Sequence, residues 1–388
     1  TPPFNKYPQE VLDIDSKLNG KINDLNISKL QVSGIGNTII NANGKIKNAM
    51  NPDKLFFDLK INQFTSTSKD VENILPKGTL PANIQLPAQF NVKGNAKGTV
   101  KNLAANLNLN SSFGNADVKA VLNQSYKNNE TYVLDAKLNQ FNIGKLIKND
   151  SLGKVSATVK VKGKSFDFEK ADAYVYGNVS SAEFNSYTYK DLNLEGKINQ
   201  GNYSVSAKMD DPNVDFNLSA EGIYNKKSPT LKLDGGIVKI DLYKLGFSKE
   251  PMAFAGKING DFTNLSPDYL NGTLSLHDFA LAYKQEVYPL SELKIDALST
   301  DTTNSIHLKS QILDANIVGK YKLTELATQL QRTINTYYNL NLKGEALTKP
   351  LDPAYFNMNL AIKDDDIVRK FLPDLNSFET INLVGKYN

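Results

Sequence analysis

Apolar and polar residues alternate along most of the chain, most regularly between residues 191 and 222. There, apolar or small residues stand at every second position: Leu192, Leu194, Gly196, Ile198, Tyr203, Val205, Ala207, Met209, Val214, Phe216, Leu218 and Ala220. The positions between them are mostly Lys, Asn, Ser, Asp and Glu. Because successive side chains of a strand point to opposite faces, this period of two predicts strands with one apolar and one hydrophilic face.

Turn residues separate these runs and predict how the strands connect. A two-residue turn at Gln200 and Gly201 and a four-residue loop from Asp210 to Asn213 predict a three-stranded antiparallel meander. The same pattern over residues 103–122 predicts a hairpin with its turn at Gly114 and Asn115. Further alternation at 254–262, 293–297 and 356–362 extends the prediction, so most of the chain is expected to be antiparallel sheet.

Short helices are predicted to interrupt the sheet. The stretch TSKDVENILP has apolar residues at helical spacing and a possible capping box formed by Thr67 and Asp70. KDDDIVRKFLP repeats this arrangement, and weaker versions begin at Phe141 and Ile240. A longer amphipathic helix is predicted for LTELATQLQRTINTYY.

The chain also contains a degenerate repeat. The stretches ILPKGTLPANIQLPAQFNVKGNAKG and FLPDLNSFETINLVGKYN share a Leu-Pro turn, an apolar strand and a Gly-Lys pair near the end. Repeats are predicted to start near residues 67, 141, 238 and 364. Residues 1–388 are therefore interpreted as one continuous repeating segment, without a boundary between separate domains.

Composition excludes several kinds of site. The 388 residues include no Cys and no Trp, so disulfides, metal-thiolate centres and cysteine nucleophiles are impossible. The net charge is +4, and the lysines are dispersed without an aromatic-basic patch, which argues against nucleic-acid binding. No window of eighteen apolar residues predicts a membrane span. No cofactor is expected.

Catalytic chemistry is not expected either. His277 and His307 are the only histidines, and both lie in strand-like runs, so a surface role is favoured over a ligand or base. The consecutive carboxylates of residues 364–366 diverge at a helix start, where they complement the helix dipole. The sequence therefore predicts neither an enzyme nor a metal site.

The apolar face has two interpretations. It is either the core of a sandwich or closed barrel, or the inside of a curled sheet that forms an open groove. The chain length, the repetition and the single-faced strands favour an elongated antiparallel β-groove with an apolar interior and a Lys- and Asn-rich exterior.

Several stretches, in their order, resemble the TamB branch of the AsmA-like superfamily in its Bacteroidota form. They are LPKGTLPANIQLPAQFNVKGNAKGTVKNL, GKINGDFTNLSPDYLNGTLSLHDFAL with the following YPLSELKI, and the ending FLPDL with INLVGKYN. The resemblance covers nearly the whole chain. It implies a repeating β-groove in the periplasm that passively transfers phospholipid between the inner and outer membranes.

The family also implies partners that lie outside this chain. These are an inner-membrane anchor and a C-terminal region that meets an outer-membrane barrel of the BamA and TamA type. Because the chain begins with Thr1 and ends in a strand-like run, it is interpreted as an internal segment. An alternative role is assembly of outer-membrane proteins, in which free strand edges would pair with nascent strands.

Groove-facing residues are chosen from the alternation. The candidates to contact phospholipid acyl chains are Leu107, Leu109, Phe113, Leu194, Ile198, Tyr203, Val205, Phe216, Leu218, Leu274, Leu276, Phe356, Met358 and Leu360. Separately, Ser151 and Thr302 lie in Asp-Ser/Thr triplets that resemble O-glycosylation sites of Bacteroidota periplasmic proteins.

Overall fold

The fold is mainly β, as the alternation predicts. The computed structural model describes residues 9–51, 53–75, 78–339, 348, 350–372, 374 and 376–387. The 21 strands found there belong to one antiparallel sheet, which a few short helices interrupt. The predicted fold class, repeated antiparallel meanders in a groove-like sheet, is confirmed. Contacts divide the chain into two compact units: Thr1–Gln200 with Ala207–Asp211, and Gly201–Ser206 with Pro212–Asn388.

Unit 1 is a continuous meander in which each strand pairs with the next. Its strands are β1 (Asp13–Lys21), β2 (Asp24–Ile35), β3 (Thr38–Lys47), β4 (Phe56–Thr67), β5 (Gln89–Gly98), β6 (Asn102–Ser111), β7 (Gly114–Asn123), β8 (Thr131–Asn142), β9 (Leu152–Lys164), β10 (Asp172–Phe184) and β11 (Tyr187–Asn199). Helix α1 (Ser68–Ile74) follows β4, and α2 (Ile143–Ile147) follows β8.

Unit 2 continues the same pattern of sequential antiparallel pairing. Its strands are β13 (Val214–Ile223), β14 (Leu231–Asp241), β15 (Met252–Asn264), β16 (Asn271–Tyr283), β17 (Glu286–Ser299), β18 (Asn304–Ser310), β19 (Leu313–Lys320), β20 (Tyr355–Ile362) and β21 (Ile381–Tyr387). Helices α3 (Leu323–Tyr337) and α4 (Asp366–Phe371) precede and follow β20, and a 3₁₀ turn spans Pro267–Tyr269. Strand β12 (Asn202–Asp211) is divided between the units.

The connections of unit 1 form two distinct edges. Because consecutive strands are antiparallel, alternate connections lie at the same end of the strands. One edge, the loop edge, consists of residues 22–23, 48–51, 53–55, 99–101, 124–130 and 165–171. The opposite edge, the helix edge, consists of residues 36–37, 68–75, 78–88, 112–113, 143–151 and 185–186, and it carries α1 and α2.

Three local predictions differ from the structure. The turn of the β6–β7 hairpin lies at residues 112–113, because Gly114 already pairs with Ser111 in the ladder. The loop predicted from Asp210 to Asn213 has two residues, since β12 runs to Asp211. The carboxylate of Asp211 is buried and accepts hydrogen bonds from the Tyr187 hydroxyl (2.5 Å) and the Lys190 amide (3.0 Å), which stabilises the strand end.

The third difference concerns the weak helix predicted from Ile240. Residues 242–246 form turns instead, closed by a hydrogen bond from the Lys244 amide to the Asp241 carboxylate (3.0 Å). Gly246 has φ +79°, a left-handed conformation that ends any helical run. The other predicted helices are present, and α1 shows the predicted cap: the Thr67 hydroxyl accepts from the Asp70 amide at 3.1 Å.

Candidate functional site

One face of unit 1 is apolar from strand to strand. The register aligns its side chains into rows that cross the sheet perpendicular to the strands. The first row is Ile14, Val32, Ile40, Phe64, Val92, Leu109, Ala116, Leu138, Ala157, Val179 and Leu192, and the second is Leu30, Ala42, Ile61, Gly94, Leu107, Val118, Ala136, Val159, Gly177 and Leu194.

Two further rows continue this face toward the loop edge. The third is Leu18, Ile27, Gly44, Leu59, Ala96, Ala105, Ala120, Leu134, Val161, Val175 and Gly196, and the fourth is Leu25, Ile46, Phe57, Gly98, Leu103, Leu122, Tyr132, Gly163, Ala173 and Ile198. The four rows together are called the apolar face. They contain no charged residue and, apart from the Tyr132 hydroxyl, no polar side-chain group.

The apolar face is only half covered. No leucine of the four rows is fully buried, although leucine is among the residues most often found inside proteins. The small residues of the rows, such as Ala116, Ala136 and Ala157, are buried because their taller neighbours cover them. The described helices cover the face at the strand ends, so the centre stays accessible to an apolar ligand.

The accessible surface of the chain agrees with uncovered sheet. It amounts to 24102 Å² for a mass of 42.9 kDa. A compact protein of that mass exposes about 15,000 Å², and two compact proteins of half the mass expose about 18,000 Å² together. The chain therefore exposes more surface than one or two compact proteins of the same total mass.

Unit 2 has the same kind of face. Two of its rows are Ala220, Leu233, Gly260, Leu274, Ile295, Leu308, Ala315, Leu360 and Leu383, and Leu231, Phe262, Gly272, Ala297, Ile306, Ile317, Met358 and Gly385. A third row is Leu218, Gly235, Ile258, Leu276 and Leu293. These three rows contain no charged or polar side chain.

The opposite face of unit 1 is polar, and its residues occupy the positions between the apolar ones along each strand. A representative row is Asn43, Lys60, Asn95, Asn106, Lys119, Asp135, Lys160, Tyr176 and Glu195. Lysines and carboxylates stand directly opposite each other in it, which favours the observed register. On strands β15 and β16 of unit 2, Lys257 and Asp278 form an ion pair at 2.7 Å. The hydrogen bond between these side chains lowers the pKa of the Asp278 carboxyl.

Most of the predicted groove residues lie in these rows. Leu107, Leu109, Leu194 and Ile198 belong to the apolar face of unit 1. In unit 2, Leu218, Leu274, Leu276, Met358 and Leu360 belong to the three rows, and Phe216 pairs with Ile237 beside them. Tyr203 and Val205 are half-buried positions of β12 that alternate with exposed serines.

Two candidates are covered by helices instead of facing an open groove. Phe113 is buried beneath α2, where it packs with Ala116, Phe141 and Leu146. Phe356 is buried beneath α3, in a cluster with Tyr321 and Leu326. They belong to small cores that fix the helices on the sheet, and contact with a ligand there requires the helix to move.

The sequence reasoning missed much of the face. Every second residue of β9 is apolar, and these side chains lie near the centre of unit 1: Val155, Ala157, Val159 and Val161. The signal was present in the stretch KVSATVKVKG, where Ser156, Thr158 and Lys160 separate the apolar residues in strict alternation. Strands β2–β4 were missed because bulges shift their alternation by one residue.

Glycines on the apolar face give room to aromatic rings on the neighbouring strand. A Cβ at Gly163 would lie 2.7 Å from the Tyr132 hydroxyl oxygen, and one at Gly222 would lie 2.8 Å from that of Tyr203. Each of these tyrosines donates a hydrogen bond to a loop carbonyl, Tyr132 to Ser165 (3.3 Å) and Tyr203 to Thr230 (2.8 Å). Burial raises the pKa of both phenols, so they are neutral donors at physiological pH.

No constellation of polar groups suggests catalysis among the described residues. His307 Nε2 lies 2.6 Å from the Asp314 carboxylate on the neighbouring strand, and both side chains are partly exposed. Over all the residues that the structure describes, no three His, Asp or Glu side chains converge as metal ligands. Ser151 and Thr302, the predicted glycosylation sites, lie in exposed turns after α2 and after β17.

Comparisons with known proteins do not identify a family for the chain. No protein-family model, no curated protein and no solved structure matches the chain. None of the helices over the described residues is both long and apolar enough to cross a membrane.

Proposed function

We propose that this chain is a segment of a bridge-like lipid-transfer protein, in which phospholipid acyl chains lie along the apolar face and slide across its strands. The observation that carries this proposal is the set of apolar rows that cross most strands of each unit and end at polar positions such as Ser16, opposite Leu30, and Ser310, opposite Leu293. Within each unit, an acyl chain that lies along a row meets a similar surface at every strand.

The energetics of such a face suit transport. Burial of an acyl chain gains about 0.8 kcal/mol per CH₂ group and requires no directional contact. Because the rows of unit 1 contain no charge and almost no hydrogen-bonding side chain, no single position binds lipid much more tightly than its neighbours. A ligand held by uniform apolar contacts moves along the face without a deep trap.

The sequence resemblance supplies the setting for this proposal. It assigns the chain to the TamB branch of the AsmA-like superfamily and to the periplasm, between an inner-membrane anchor and an outer-membrane barrel of the BamA and TamA type. Transfer is passive in this scheme, and the chain is not an enzyme. The groove-like sheet supports the assignment because the same architecture is expected for that family.

Native mass spectrometry of the purified protein tests the proposal. We expect bound phospholipid in the unmodified protein and little in the variants Leu107→Asp and Leu218→Asp, because an unpaired carboxylate on the apolar face costs several kcal/mol. The matched controls Asn106→Asp and Asn217→Asp put the same charge on the adjacent, exposed positions and should keep the lipid. Equal lipid content in all four variants would contradict the proposal.

Assembly of outer-membrane proteins is the second candidate, in which a strand edge of the sheet would pair with a nascent strand. An unpaired strand edge is a template for another strand. The same mass spectra separate the two functions, since this role predicts bound polypeptide instead of lipid.

A further inference from the structure

The loop edge of unit 1 exposes large apolar side chains at regular intervals. Each of its five connections carries at least one that is more than half exposed: Ile22, Met50, Val100, Tyr126, Phe166 and Phe168. Neighbouring connections are two strands apart, which places them about 10 Å from each other along the sheet. Because all five connections carry an exposed apolar side chain, the exposure is a property of the whole edge.

The helix edge of the same sheet differs. Among its described residues, no large apolar side chain is more than half exposed. Phe113 is buried beneath α2, and Ile147, at the end of α2, is 36% exposed. The contrast holds for the connections between strands, since Val11, which directly precedes β1 at the helix-edge end, is 84% exposed.

Lysine side chains without an ion-pair partner lie beside the exposed apolar side chains of the loop edge. Lys21, Lys101 and Lys127 directly adjoin Ile22, Val100 and Tyr126 in the chain, and Lys54 lies in the same loop as Met50. Within the described part of the chain, none of these four ammonium groups makes an ion pair or a hydrogen bond. Lys170 is different because it lies 3.8 Å from the Asp167 carboxylate.

The loop edge is continuous with the apolar face. The ring of Phe166 stacks on that of Tyr132, with centroids 5.0 Å apart and planes at 8°. Tyr132 belongs to the fourth row, and its hydroxyl donates to the Ser165 carbonyl at 3.3 Å. At the connection of residues 165–171, an apolar surface thus leads from the fourth row to the exposed ring of Phe166.

We propose that the loop edge of unit 1 binds the headgroup region of phospholipids whose acyl chains lie on the apolar face. The order of chemistry across the sheet matches that of the lipid: apolar rows, then aromatic and aliphatic side chains, then unpaired ammonium groups for the phosphate. Aromatic side chains and long lysines are the residues that favour the boundary between hydrocarbon and water. This inference rests on the proposed function and adds the orientation of the bound lipid.

Two photoactivatable phosphatidylethanolamines test the orientation, one with a diazirine in the headgroup and one with a diazirine at the end of an acyl chain. The protein is loaded from vesicles, freed of them by gel filtration, irradiated and mapped by peptide mass spectrometry. We expect the headgroup probe to label residues 48–51, 53–55, 99–101, 124–130 and 165–171, and the acyl probe to label the four rows.

A matched pair of quadruple variants isolates the lysines. In Lys21→Glu/Lys54→Glu/Lys101→Glu/Lys127→Glu, headgroup labelling of the loop edge should fall about tenfold or more while acyl labelling of the rows persists. The control Lys60→Glu/Lys93→Glu/Lys162→Glu/Lys197→Glu makes the same change in net charge on exposed positions of the polar face that have no carboxylate opposite them, and it should label as the unmodified protein does.

The outcomes separate this inference from the proposed function. Headgroup labelling at residues 36–37 and 185–186, or equally at both edges, would overturn the inference while acyl labelling of the rows left the proposed function intact. Labelling of the loop edge only while vesicles are present would show contact with a bilayer instead of a carried lipid and would also overturn it. Acyl labelling absent from the rows would contradict the proposed function itself.

Discussion

At the scale of single residues, the apolar face depends on small residues as much as on large ones. Gly163 is an example, because its missing side chain leaves the space in which the Tyr132 ring and the Ala173 methyl group lie. A glycine in a strand interior normally weakens it, and an aromatic ring on the neighbouring strand covers the exposed backbone. The alternation placed Gly196 on the apolar face, but it did not identify Gly163 and gave no sign of which ring that glycine meets.

The substitution Gly163→Ala is expected to destabilise the protein by about 1–3 kcal/mol, because the new methyl group would lie 2.6 Å from the Ala173 Cβ and 2.7 Å from the Tyr132 hydroxyl oxygen. Gly177→Ala is the matched control in the same unit, where the added carbon meets only the Leu194 Cβ at 3.8 Å. Urea denaturation measures both. Equal loss of stability in the two variants would show that backbone freedom, and not the ring, explains the glycine.

Tyr321 predicts a loss of stability in alkali. Its ring is buried beneath α3, and burial raises the pKa of its phenol to about 12. Because the folded-state value is higher than the ordinary value of about 10, the stabilising effect is complete below about pH 10 and is lost as the pH rises toward 12. Tyr321→Phe should remove part of this decline in thermal unfolding experiments, and an unchanged pH profile would argue against it.

At the scale of elements, the helices are fixed to the sheet by a few specific contacts. Asp70 of α1 is buried, accepts a hydrogen bond from the Asn37 amide at 3.0 Å and one from the Thr67 hydroxyl at 2.7 Å. The capping box was predictable from the spacing of Thr67 and Asp70. The bond to Asn37 was not, since it joins α1 to the β2–β3 turn, which is distant in the chain.

Replacement of Asp70 therefore tests two roles at once. Asp70→Ala should cost about 1–2 kcal/mol, because the Asn37 amide loses its acceptor and α1 loses part of its cap. Glu72→Ala, on the exposed side of the same helix, should change stability little. Amide hydrogen exchange should accelerate at Asn37 and throughout α1 in the first variant, and exchange limited to α1 would exclude the contribution of the turn.

Helix α3 covers one part of the apolar face in unit 2. Leu326 is buried and packs in the cluster with Tyr321 and Phe356, while Thr324 donates to Asp268 at 3.0 Å and fixes the start of the helix. The amphipathic pattern predicted this helix from the sequence. The strand at 356–362 was predicted as well, but its contact with the helix was not, because Phe356 and Tyr387 are distant from Leu326 in the chain.

We expect Leu326→Ala to destabilise the packing of α3 by about 2–5 kcal/mol, the usual cost of a cavity at a buried leucine. Gln331→Ala on the exposed side of α3 is the control. Hydrogen exchange along α3 provides the measurement. Protection that is unchanged in Leu326→Ala would mean that the polar contacts at Asp268 hold the helix without the cluster.

At the scale of the whole molecule, the described strands share one principle: each pairs with its chain neighbours and places an apolar side chain in the same row as theirs. Fold class followed from the alternation because a period of two fixes the face of every residue once the register is known. The exact turns did not follow, since Asp211 and Gly114 extend their strands through contacts that the pattern does not reveal. How much of the apolar face the helices cover was likewise not predictable from the alternation.

The most direct test of the account is photo-crosslinking of lipid from adjacent positions on the two faces. A photoreactive amino acid at Leu107 or Val205, on half-buried apolar positions, should capture phospholipid in cells that produce the protein, and one at the exposed positions Asn106 or Ser206 should not. Lipid captured equally from both sets, or only from Asn106 and Ser206, would contradict the claim that the apolar face carries lipid.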